Sequence, residues 1–292
     1  MGRAQVPTNE QRRAAAKRKL ERQLERRVRH AKFRKKLLIS SGATVIVIAL
    51  VVVGVVLYNN HQDAVAAEQA AAYKANTCQY TKGKPAPKGK DVGLPPNPNP
   101  KPTTGTVKVD LKTSQGEIPL TLDRTKAPCT VQSALHLVTK KFYDNTPCHR
   151  LTDASSLKVL QCGDPTGTGT GGPGYTIPDE KPSHLKPAPA AIAKQAAQSG
   201  VKVATYPRGT VAMANTGQPH SGGSQFFLVY GDSYLPPSYT VFGTIGKAGL
   251  ATLDKIAKGG ITPVANPQTG KANPGDGKPK LPVTIKTATM VS

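Results

Sequence analysis

Val107-Lys-Val-Asp-Leu-Lys112 and Glu117-Ile-Pro-Leu-Thr-Leu122 each alternate apolar with polar residues, and the short turn Ser114-Gln-Gly116 joins them. Alternation with a period of two places one set of side chains on each face of a β-strand. A tight turn that contains Gly between two such segments predicts a β-hairpin. The folded part of the chain therefore opens as a β structure near residue 105.

Further short apolar segments follow this hairpin as far as the C-terminus. Helices are predicted from Pro128, at Ala190–Ser199 and at Leu250–Ile256. Strands are predicted near residues 148–151, 157–163, 210–214, 225–230, 239–243 and 283–290. About eight short strands and two or three helices predict a mainly β fold for residues 105–292, an antiparallel barrel with helices at its ends.

The composition before residue 105 differs from that of the folded part. Lys82–Thr104 is crowded with Pro, Gly, Lys and Asn, which cannot build a core and which favour an extended, polyproline-like spacer. Ala64–Ala75 has the composition of a short juxtamembrane helix. We therefore interpret residues 59–104 as a juxtamembrane helix and linker, ahead of a domain at residues 105–292.

Residues 37–58 form an apolar segment without a charged residue. At 1.5 Å per residue it is long enough to cross a hydrocarbon core of about 30 Å as one helix. The basic run at Arg26–Lys36 predicts, by the positive-inside rule, that residues 1–36 lie in the cytoplasm and the rest outside. A signal peptide cleaved after Ala64-Val-Ala66 is the alternative, but the long apolar core favours an uncleaved anchor. The sequence thus predicts a single-pass protein of the cell membrane with an extracytoplasmic domain.

The net charge of +23 is concentrated at the N-terminus, where residues 1–36 hold 14 basic and 3 acidic residues. We interpret this segment as a solvated cytoplasmic tail, with binding to anionic lipid headgroups or to nucleic acid as the alternatives. Almost no aromatic residue lies among the basic ones, so a platform for stacking single-stranded bases is disfavoured. No nucleic-acid partner is expected.

All four cysteines, at positions 78, 129, 148 and 162, follow the apolar segment, and disulfides persist outside the cytoplasm. The sequence has no Cys-x-x-Cys pair and no His at zinc-ligand spacing, so no metal site is predicted. Four cysteines permit three pairings, and the spacing alone leaves all three open.

Two Gly-rich or polar runs lie between apolar strands. Gln161–Tyr175 is not a phosphate-binding loop, because no Gly-Lys-Ser or Gly-Lys-Thr follows and its prolines would block the helix that holds phosphate. Met213–Phe227 lacks the Gly-x-Ser-x-Gly pattern of a serine hydrolase. Both runs therefore need a different explanation.

Several motifs occur in one order along residues 105–292: Phe142-Tyr-Asp-Asn-Thr-Pro-Cys-His-Arg150, Gln161 before Gly163-Asp164, Gly169-Thr-Gly-Gly172, Met213-Ala-Asn215, Gly223-Ser-Gln-Phe-Phe227 and Val241-Phe-Gly243. In this order they resemble the cyclophilin family of peptidyl-prolyl cis/trans isomerases. The basic tail, apolar segment and Pro-rich spacer resemble its membrane-anchored bacterial members. The resemblance implies an eight-stranded antiparallel barrel capped by two helices, preceded here by one transmembrane helix, with a proline-binding groove on one face.

The resemblance implies an enzyme that accelerates rotation about X–Pro bonds during extracytoplasmic protein folding. This rotation is slow because amide resonance stiffens the C–N bond, and it breaks no covalent bond, so no cofactor is expected. A cation beside the prolyl nitrogen and fixed partners for the flanking carbonyls would lower the barrier. The implied catalytic residues are Arg150, Gln161 and Asn215. The implied substrate-binding residues are Met213, Ala214, Gln225, Phe227, Tyr234, Leu235, Tyr239 and Gly169.

The chain departs from the family pattern beside the groove. Leu151–Leu160 replaces a shorter Pro-Gly turn and puts Lys158 and Val159 near the usual Phe and Met positions. Tyr234 stands at a Trp position, so only weak binding of cyclosporin-type ligands is expected. Residues 181–205 form an insertion. Proline-containing peptides and unfolded secreted proteins are the expected partners, and a non-catalytic module that binds Pro-containing peptides is the alternative function.

The family's strand pairing also implies a disulfide between Cys148 and Cys162, which flank the lengthened segment Leu151–Leu160. Closing a loop of about 15 residues would stabilise the fold by roughly 3 kcal/mol in the chain-entropy model. A second bond between Cys78 and Cys129 would then tie the spacer to the start of the first helix.

Overall fold

A computed structural model describes residues 17–18, 21–30, 32, 56–57, 59–87, 90–265 and 272–291. The chain divides into two compact units, Met1–Ala71 and Ala72–Ser292. In the first unit, residues 21–30 and 59–71 are helical, and nearly all of their side chains are exposed. The second unit contains the sheets and helices described next.

The strands of the second unit are β1 (Thr81–Lys82), β2 (Thr106–Thr113), β3 (Gly116–Asp123), β4 (Thr146–Pro147), β5 (Arg150–Thr152), β6 (Lys158–Cys162), β7 (Tyr175–Thr176), β8 (Lys186–Pro187), β9 (Ala204–Tyr206), β10 (Thr210–Met213), β11 (Phe226–Gly231), β12 (Ser233–Leu235), β13 (Val241–Ile245), β14 (Ile261–Ala265), β15 (Ala272–Pro279) and β16 (Thr284–Val291). Its labelled helices are α1 (Pro128–Thr139), α2 (Ala190–Gln198) and α3 (Lys247–Lys258).

Eleven of these strands form one antiparallel sheet, in the order β14-β15-β5-β6-β11-β10-β13-β3-β2-β16-β4. The predicted hairpin is its most regular part, because β2 and β3 pair residue for residue from Thr106–Asp123 to Thr113–Gly116. Gly116 has a φ of +139°, a conformation that side chains disfavour, which explains a Gly at the end of this turn. Two smaller sheets pair β1 with β7, and β12 with β9 and β8.

The core lies on one face of the main sheet. The inward residues of β2 and β3, such as Leu111, Ile118 and Leu122, are buried together with Phe142 and Ile285. Helix α1 begins with Pro128 in its first turn and buries its apolar stripe in the same cluster, and α3 buries Leu253 and Ile256 there. Helix α2, which lies in the predicted insertion, buries none of its residues.

The predicted barrel needs correction. The described strands form a mainly β half-barrel of eleven strands, with β14 at one edge and β4 at the other, instead of a closed eight-stranded barrel with two capping helices. The prediction missed the hairpin β14–β15, because Pro263, Pro274 and neighbouring glycines are typical of loops and disfavour a strand. It also missed the two-residue strand β4, which is too short to give a periodic pattern.

The predicted transmembrane helix is the second correction to the expected fold. Within the described residues, no helix is long and apolar enough to cross a membrane. Of the predicted span at residues 37–58, only residues 56–57 are described, and they are helical; the rest lies outside the described residues.

The Pro-rich segment before residue 105 contacts the sheet domain at several points. The Nζ of Lys90 donates to the carbonyl oxygens of Phe142 (2.8 Å) and Asp144 (2.9 Å). The Tyr80 hydroxyl donates to the Cys129 carbonyl at 2.9 Å, beside a disulfide between Cys78 and Cys129. The segment is therefore attached to the domain, while the domain boundary at residue 105 stays a prediction.

Candidate active site

Four neighbouring strands carry one row of site residues. Strands β5, β6, β11 and β10 lie side by side in the main sheet. Their register pairs Arg150 with Gln161, Gln161 with Phe227, and Phe227 with Ala212. Directly opposed residues of antiparallel strands point to the same face of a sheet. The alternation within each strand therefore brings a cation, an amide and an aromatic ring onto one surface.

Arg150 is held at the edge of this row by a carboxylate. Its Nε and Nη2 donate to the two oxygens of Asp276 at 2.7 and 2.6 Å, and its Nη1 donates to Oε1 of Gln161 at 3.3 Å. The hydrogen bonds from Arg150 to Asp276 raise the pKa of the guanidinium above its usual value, although partial burial opposes this rise. Arg150 therefore carries a permanent positive charge in a fixed position.

A chain of amides continues from Arg150 across the sheet. Gln161 donates through Nε2 to Oε1 of Gln225 at 2.9 Å, and Gln225 donates through its own Nε2 to the carbonyls of Gly169 and Gly171, each at 2.9 Å. Each amide accepts on one side and donates on the other, so the chain fixes the orientation of both glutamines. The structure thus brings the predicted residues Arg150, Gln161, Gln225 and Gly169 together.

The Gly-rich loop at the end of this chain is folded around Asp164, which is fully buried. Its carboxylate accepts from the backbone N–H of Thr166 (2.7 Å), Thr168 (3.1 Å) and Gly169 (2.6 Å). Burial raises the pKa of Asp164, but the hydrogen bonds from the loop outweigh burial and hold the pKa below its usual value. We call Arg150, Gln161, Gln225 and this loop the polar half of the site.

Asn215 lies beyond the end of β10 and is anchored by its side chain. Its Nδ2 donates to the Ser238 carbonyl at 3.1 Å, and its Oδ1 accepts from the backbone N–H of Gly217 at 3.0 Å. The preceding residue, Ala214, donates its N–H to the carbonyl of Gln225 at 2.9 Å. Asn215 is thus linked through Ala214 to the polar half, whereas its own side chain is used for local structure.

The other half of the site is apolar. Phe227 packs with the buried residues Val159, Tyr206 and Val241, and Leu235, Ala214 and Tyr239 lie against this cluster. The rings of Phe227 and Tyr239 meet edge to face with their centroids 5.6 Å apart. We call this cluster the apolar half. It places the predicted residues Phe227, Leu235, Ala214 and Tyr239 together.

Two predicted groove residues, Met213 and Tyr234, belong to neither half of the site. Met213 pairs with Phe226 and belongs with it to the main core, so the structure places it on the opposite face of the sheet from Phe227. Strand alternation is the reason, because Ala212 and Ala214 take the groove face on either side of Met213. Tyr234 lies on β12, donates its N–H to the Ser156 carbonyl at 2.9 Å, and is partly buried beside Leu235.

A family model described as "Cyclophilin type peptidyl-prolyl cis-trans isomerase/CLD" matches residues 108–290. The chain belongs to this family. The cyclophilin fold agrees with the mainly β half-barrel, and cyclophilins bind proline-containing peptide substrates.

Relatives along nearly the whole chain agree with this family. A protein of Mycobacterium leprae named probable peptidyl-prolyl cis-trans isomerase B is 45% identical over 97% of this chain and 99% of its own length. A protein of the same name from Mycobacterium tuberculosis is also 45% identical, over 98% of this chain and 94% of its own length. A solved cyclophilin-type isomerase of Cryptosporidium parvum is 25% identical, covering 64% of this chain and 99% of its own, with a TM-score of 0.46. The family model and the mycobacterial relatives show that this chain is a cyclophilin-type peptidyl-prolyl cis-trans isomerase.

The structure contains two disulfides: the one that the family's strand pairing implies, and a second between the two cysteines that then remain. Cys148 is bonded to Cys162, and Cys78 to Cys129. Cys162 follows Gln161 directly, and Cys148 precedes Arg150 by two residues. The first bond therefore ties the end of β6, which carries Gln161, to the segment just before β5, which carries Arg150, while the second lies at the start of α1.

Sequence reasoning missed two residues of this cyclophilin's site. Asp276 lies in Asn273-Pro-Gly-Asp-Gly277, a composition typical of a turn, and nothing in its spacing points to Arg150. Tyr206 directly follows the insertion, is fully buried, and donates its hydroxyl to the carbonyls of Pro236 and Tyr239 at 3.1 Å each. A large aromatic residue at the end of a polar insertion was the one available signal for Tyr206.

His149 lies directly before Arg150 in the chain. Its Nδ1 is buried and has no hydrogen-bond partner among the described residues. Burial lowers the pKa of His149 below its usual value, and nearby Arg150 acts in the same direction, against the opposing effect of Asp164. The imidazole is therefore neutral near pH 7 and leaves Arg150 as the cation beside the groove.

Proposed function

We propose that this isomerase acts on proline-containing segments of polypeptides that fold outside the cytoplasm, with Arg150 as its principal catalytic residue. The observation that carries the proposal is the row Arg150, Gln161 and Phe227 on one face of three adjacent strands. A proline ring on Phe227 lies one strand spacing from Gln161 and two from Arg150. The row thus has the order that a bound X–Pro unit requires.

Arg150 supplies the electrostatic part of the mechanism. Rotation about the X–Pro bond faces a barrier of roughly 18–20 kcal/mol, because the nitrogen lone pair is delocalised into the carbonyl. A guanidinium beside the prolyl nitrogen favours the localised lone pair of the twisted transition state. Because the interaction is stronger in the transition state than in either ground state, it raises the rate without raising affinity.

The other residues hold the substrate while one end turns. We assign Gln161, together with the backbone of Asn215, as the hydrogen-bond partners of the carbonyls that flank the proline. Gln225 keeps the Gln161 amide in the required orientation. Phe227 with Leu235 and Tyr239 receives the ring, while Ala214, Gly169 and Tyr234 border the groove.

The proposed compartment rests on the cysteines. All four are used in the two disulfides, and such bonds persist in oxidising compartments and are rare in the cytosol. Unfolded secreted proteins, which carry slow X–Pro bonds, are therefore the substrates that we propose. The proposal concerns residues 72–292 and makes no use of a membrane anchor. We also propose that cyclosporin-type ligands bind this groove weakly.

The test of the chemistry compares wild type with Arg150→Ala. Prolyl exchange in an Ala-Pro peptide, followed by NMR, should be accelerated by wild type and lose roughly 100- to 1000-fold in kcat in the variant, the usual effect of removing a preorganised donor. Circular dichroism should show an intact fold. A folded Arg150→Ala protein with undiminished kcat would contradict the assignment of Arg150.

The test of the compartment uses a cysteine introduced at Ser199, which is exposed at the end of α2. A membrane-impermeant maleimide added to intact cells should label Ser199→Cys. The same reagent should leave the wild-type protein unlabelled, since its cysteines are paired. Labelling of Ser199→Cys only after cell lysis would place the domain in the cytoplasm.

A further inference from the structure

Among the residues that the structure describes, two arginines make bidentate ion pairs with aspartates. Arg150 donates to Asp276 at 2.7 and 2.6 Å, and Arg208 donates to Asp254 at 2.8 and 2.9 Å. Both pairs are partly exposed to a similar degree, with side chains 39% and 33% exposed in the first and 38% and 44% in the second. Such pairs fix a guanidinium in the plane of the carboxylate.

The two pairs differ in which donors remain for other partners. Asp276 takes the edge of Arg150 that is formed by Nε and Nη2, so Nη1 is left to meet Gln161. Asp254 takes Nη1 and Nη2 of Arg208, whose Nη1 also bonds the Tyr230 carbonyl. Only the Asp276 pair therefore presents a charged N–H group to the polar half of the site.

The position of Asp276 is set by the backbone. Asp276 pairs with Thr152 and Gly277 with Leu151, so β15 lies directly beside β5. Strand β5 begins at Arg150. A side chain at Gly277 would collide with the Thr262 carbonyl of β14, which shows how closely the hairpin is packed. The backbone that carries the Asp276 carboxylate is thus fixed on both sides by strand pairing.

We propose that Asp276 is a positioning residue for the isomerisation, which holds Arg150 so that Nη1 faces the bound prolyl nitrogen. The hairpin β14–β15 is thereby part of the catalytic machinery. This inference rests on the proposed role of Arg150 and adds the cause of its orientation.

Two effects of the carboxylate oppose each other. Its negative charge weakens the field of Arg150 at the groove, but for a pair that is about one third exposed, solvent screens this effect. Without Asp276 the long Arg150 side chain would sample several rotamers, and a donor that is not fixed stabilises a transition state poorly. The loss of orientation should therefore dominate over the gain in field.

The experiment measures kcat and KM of the full chain separately, by NMR exchange on the Ala-Pro peptide. Asp276→Ala should lower kcat about tenfold, the order expected for losing one charge-assisted contact, and change KM less than twofold. Asp276→Glu keeps the carboxylate and should recover part of kcat. Asp254→Ala breaks the matched pair at Arg208 and should leave kcat unchanged.

A double-mutant cycle separates positioning from a general structural role. In the Arg150→Ala background, Asp276→Ala should have no further effect on the residual rate, because Asp276 acts through Arg150. An equal loss in both backgrounds would assign Asp276 a structural role and overturn the inference. An Asp276→Ala protein that keeps the wild-type kcat would also overturn the inference. If Arg150→Ala itself keeps full activity, the proposed function fails instead. Asp276→Asn replaces Asp276→Ala in the cycle if the latter does not fold.

Discussion

The polar and apolar halves of the site are built in different ways. In the polar half, hydrogen bonds run without interruption from Asp276 through Arg150, Gln161 and Gln225 to the Gly169 carbonyl. In the apolar half, Phe227 is held by packing against Tyr206, Val159 and Tyr239. Hydrogen bonds fix the orientation of the polar side chains, whereas close packing fixes the shape of the apolar surface. We therefore expect changes in the polar half to lower kcat and changes in the apolar half to raise KM.

The largest combined effect, on stability and on kcat together, is expected from opening the Cys148–Cys162 disulfide, which ties the end of β6 to the segment just before β5. Cys148→Ala with Cys162→Ala should destabilise the domain by about 3 kcal/mol, because the bond closes a loop of roughly 15 residues. Arg150 and Gln161 lie beside these cysteines, so kcat should fall in the folded protein. Thermal unfolding and prolyl exchange below the transition measure the two effects.

The second disulfide is the matched control for this prediction. Cys78→Ala with Cys129→Ala opens a longer loop, since these residues are 51 apart, and should cost about 4 kcal/mol. This bond lies at the start of α1, away from the polar half. Its loss should therefore lower stability at unchanged kcat. An equal fall of kcat in both variants would mean that stability, and not the geometry of the polar half, governs the rate.

Gln161→Leu tests the chain of amides itself. The substitution removes an acceptor from Arg150 and a donor from Gln225 while nearly keeping the volume of the side chain. We expect kcat to fall roughly 10- to 100-fold, because Arg150 and Gln225 each lose a hydrogen-bond partner and the guanidinium of Arg150 is held less firmly. Gln115→Leu, at a partly exposed glutamine whose side chain donates to the Pro282 carbonyl, is the control. A change in KM alone would show that Gln161 only binds substrate.

Phe226 and Phe227 allow the sharpest comparison of the two faces of the sheet. Both are buried, but Phe226 belongs to the main core and Phe227 to the apolar half. Phe226→Leu and Phe227→Leu should each cost about 1–2 kcal/mol of stability. Only Phe227→Leu should raise KM, by roughly tenfold, because it reshapes the ring pocket. Equal KM values for the two variants would place the proline ring elsewhere.

The same pair of residues shows what the sequence can and cannot predict. Alternation is enough to place Gln225 and Phe227 on one face of their strand, whereas the pairing of the Arg150 and Gln161 strands was implied only by the family resemblance. The placement of Met213 in the groove was wrong because a motif conveys order along the chain but not the parity of each residue in its strand. The face of the sheet on which Met213 lies became known only from the register of β10 and β11.

Contacts distant in sequence were beyond prediction for a different reason. Asp276 lies 126 residues from Arg150 and reaches it only because β15 pairs with β5. Strand pairing of this kind depends on the whole sheet, and a segment rich in Pro and Gly gives no local signal of it. Residues 181–205 were predicted only as an insertion, and the pairing of β9 with β12, which carries Tyr234 and Leu235, could not be seen from composition.

Tyr234 supports the last and smallest prediction, which concerns ligand binding at the border of the apolar half. Its phenol keeps an apolar ring beside Leu235 but lacks the indole N–H of the Trp that the family often has at this position. A hydrogen bond to a ligand is worth about 1 kcal/mol. Tyr234→Trp should therefore tighten the binding of cyclosporin about fivefold, measured by calorimetry, and leave kcat for the Ala-Pro peptide unchanged because the polar half is untouched. The backbone of Tyr234 is fixed by pairing with Thr205 and by the bond to Ser156, so the larger ring should be accepted without moving β12. Nanomolar binding by the wild type would show that the indole donor is dispensable and that the shape of the apolar half alone determines affinity.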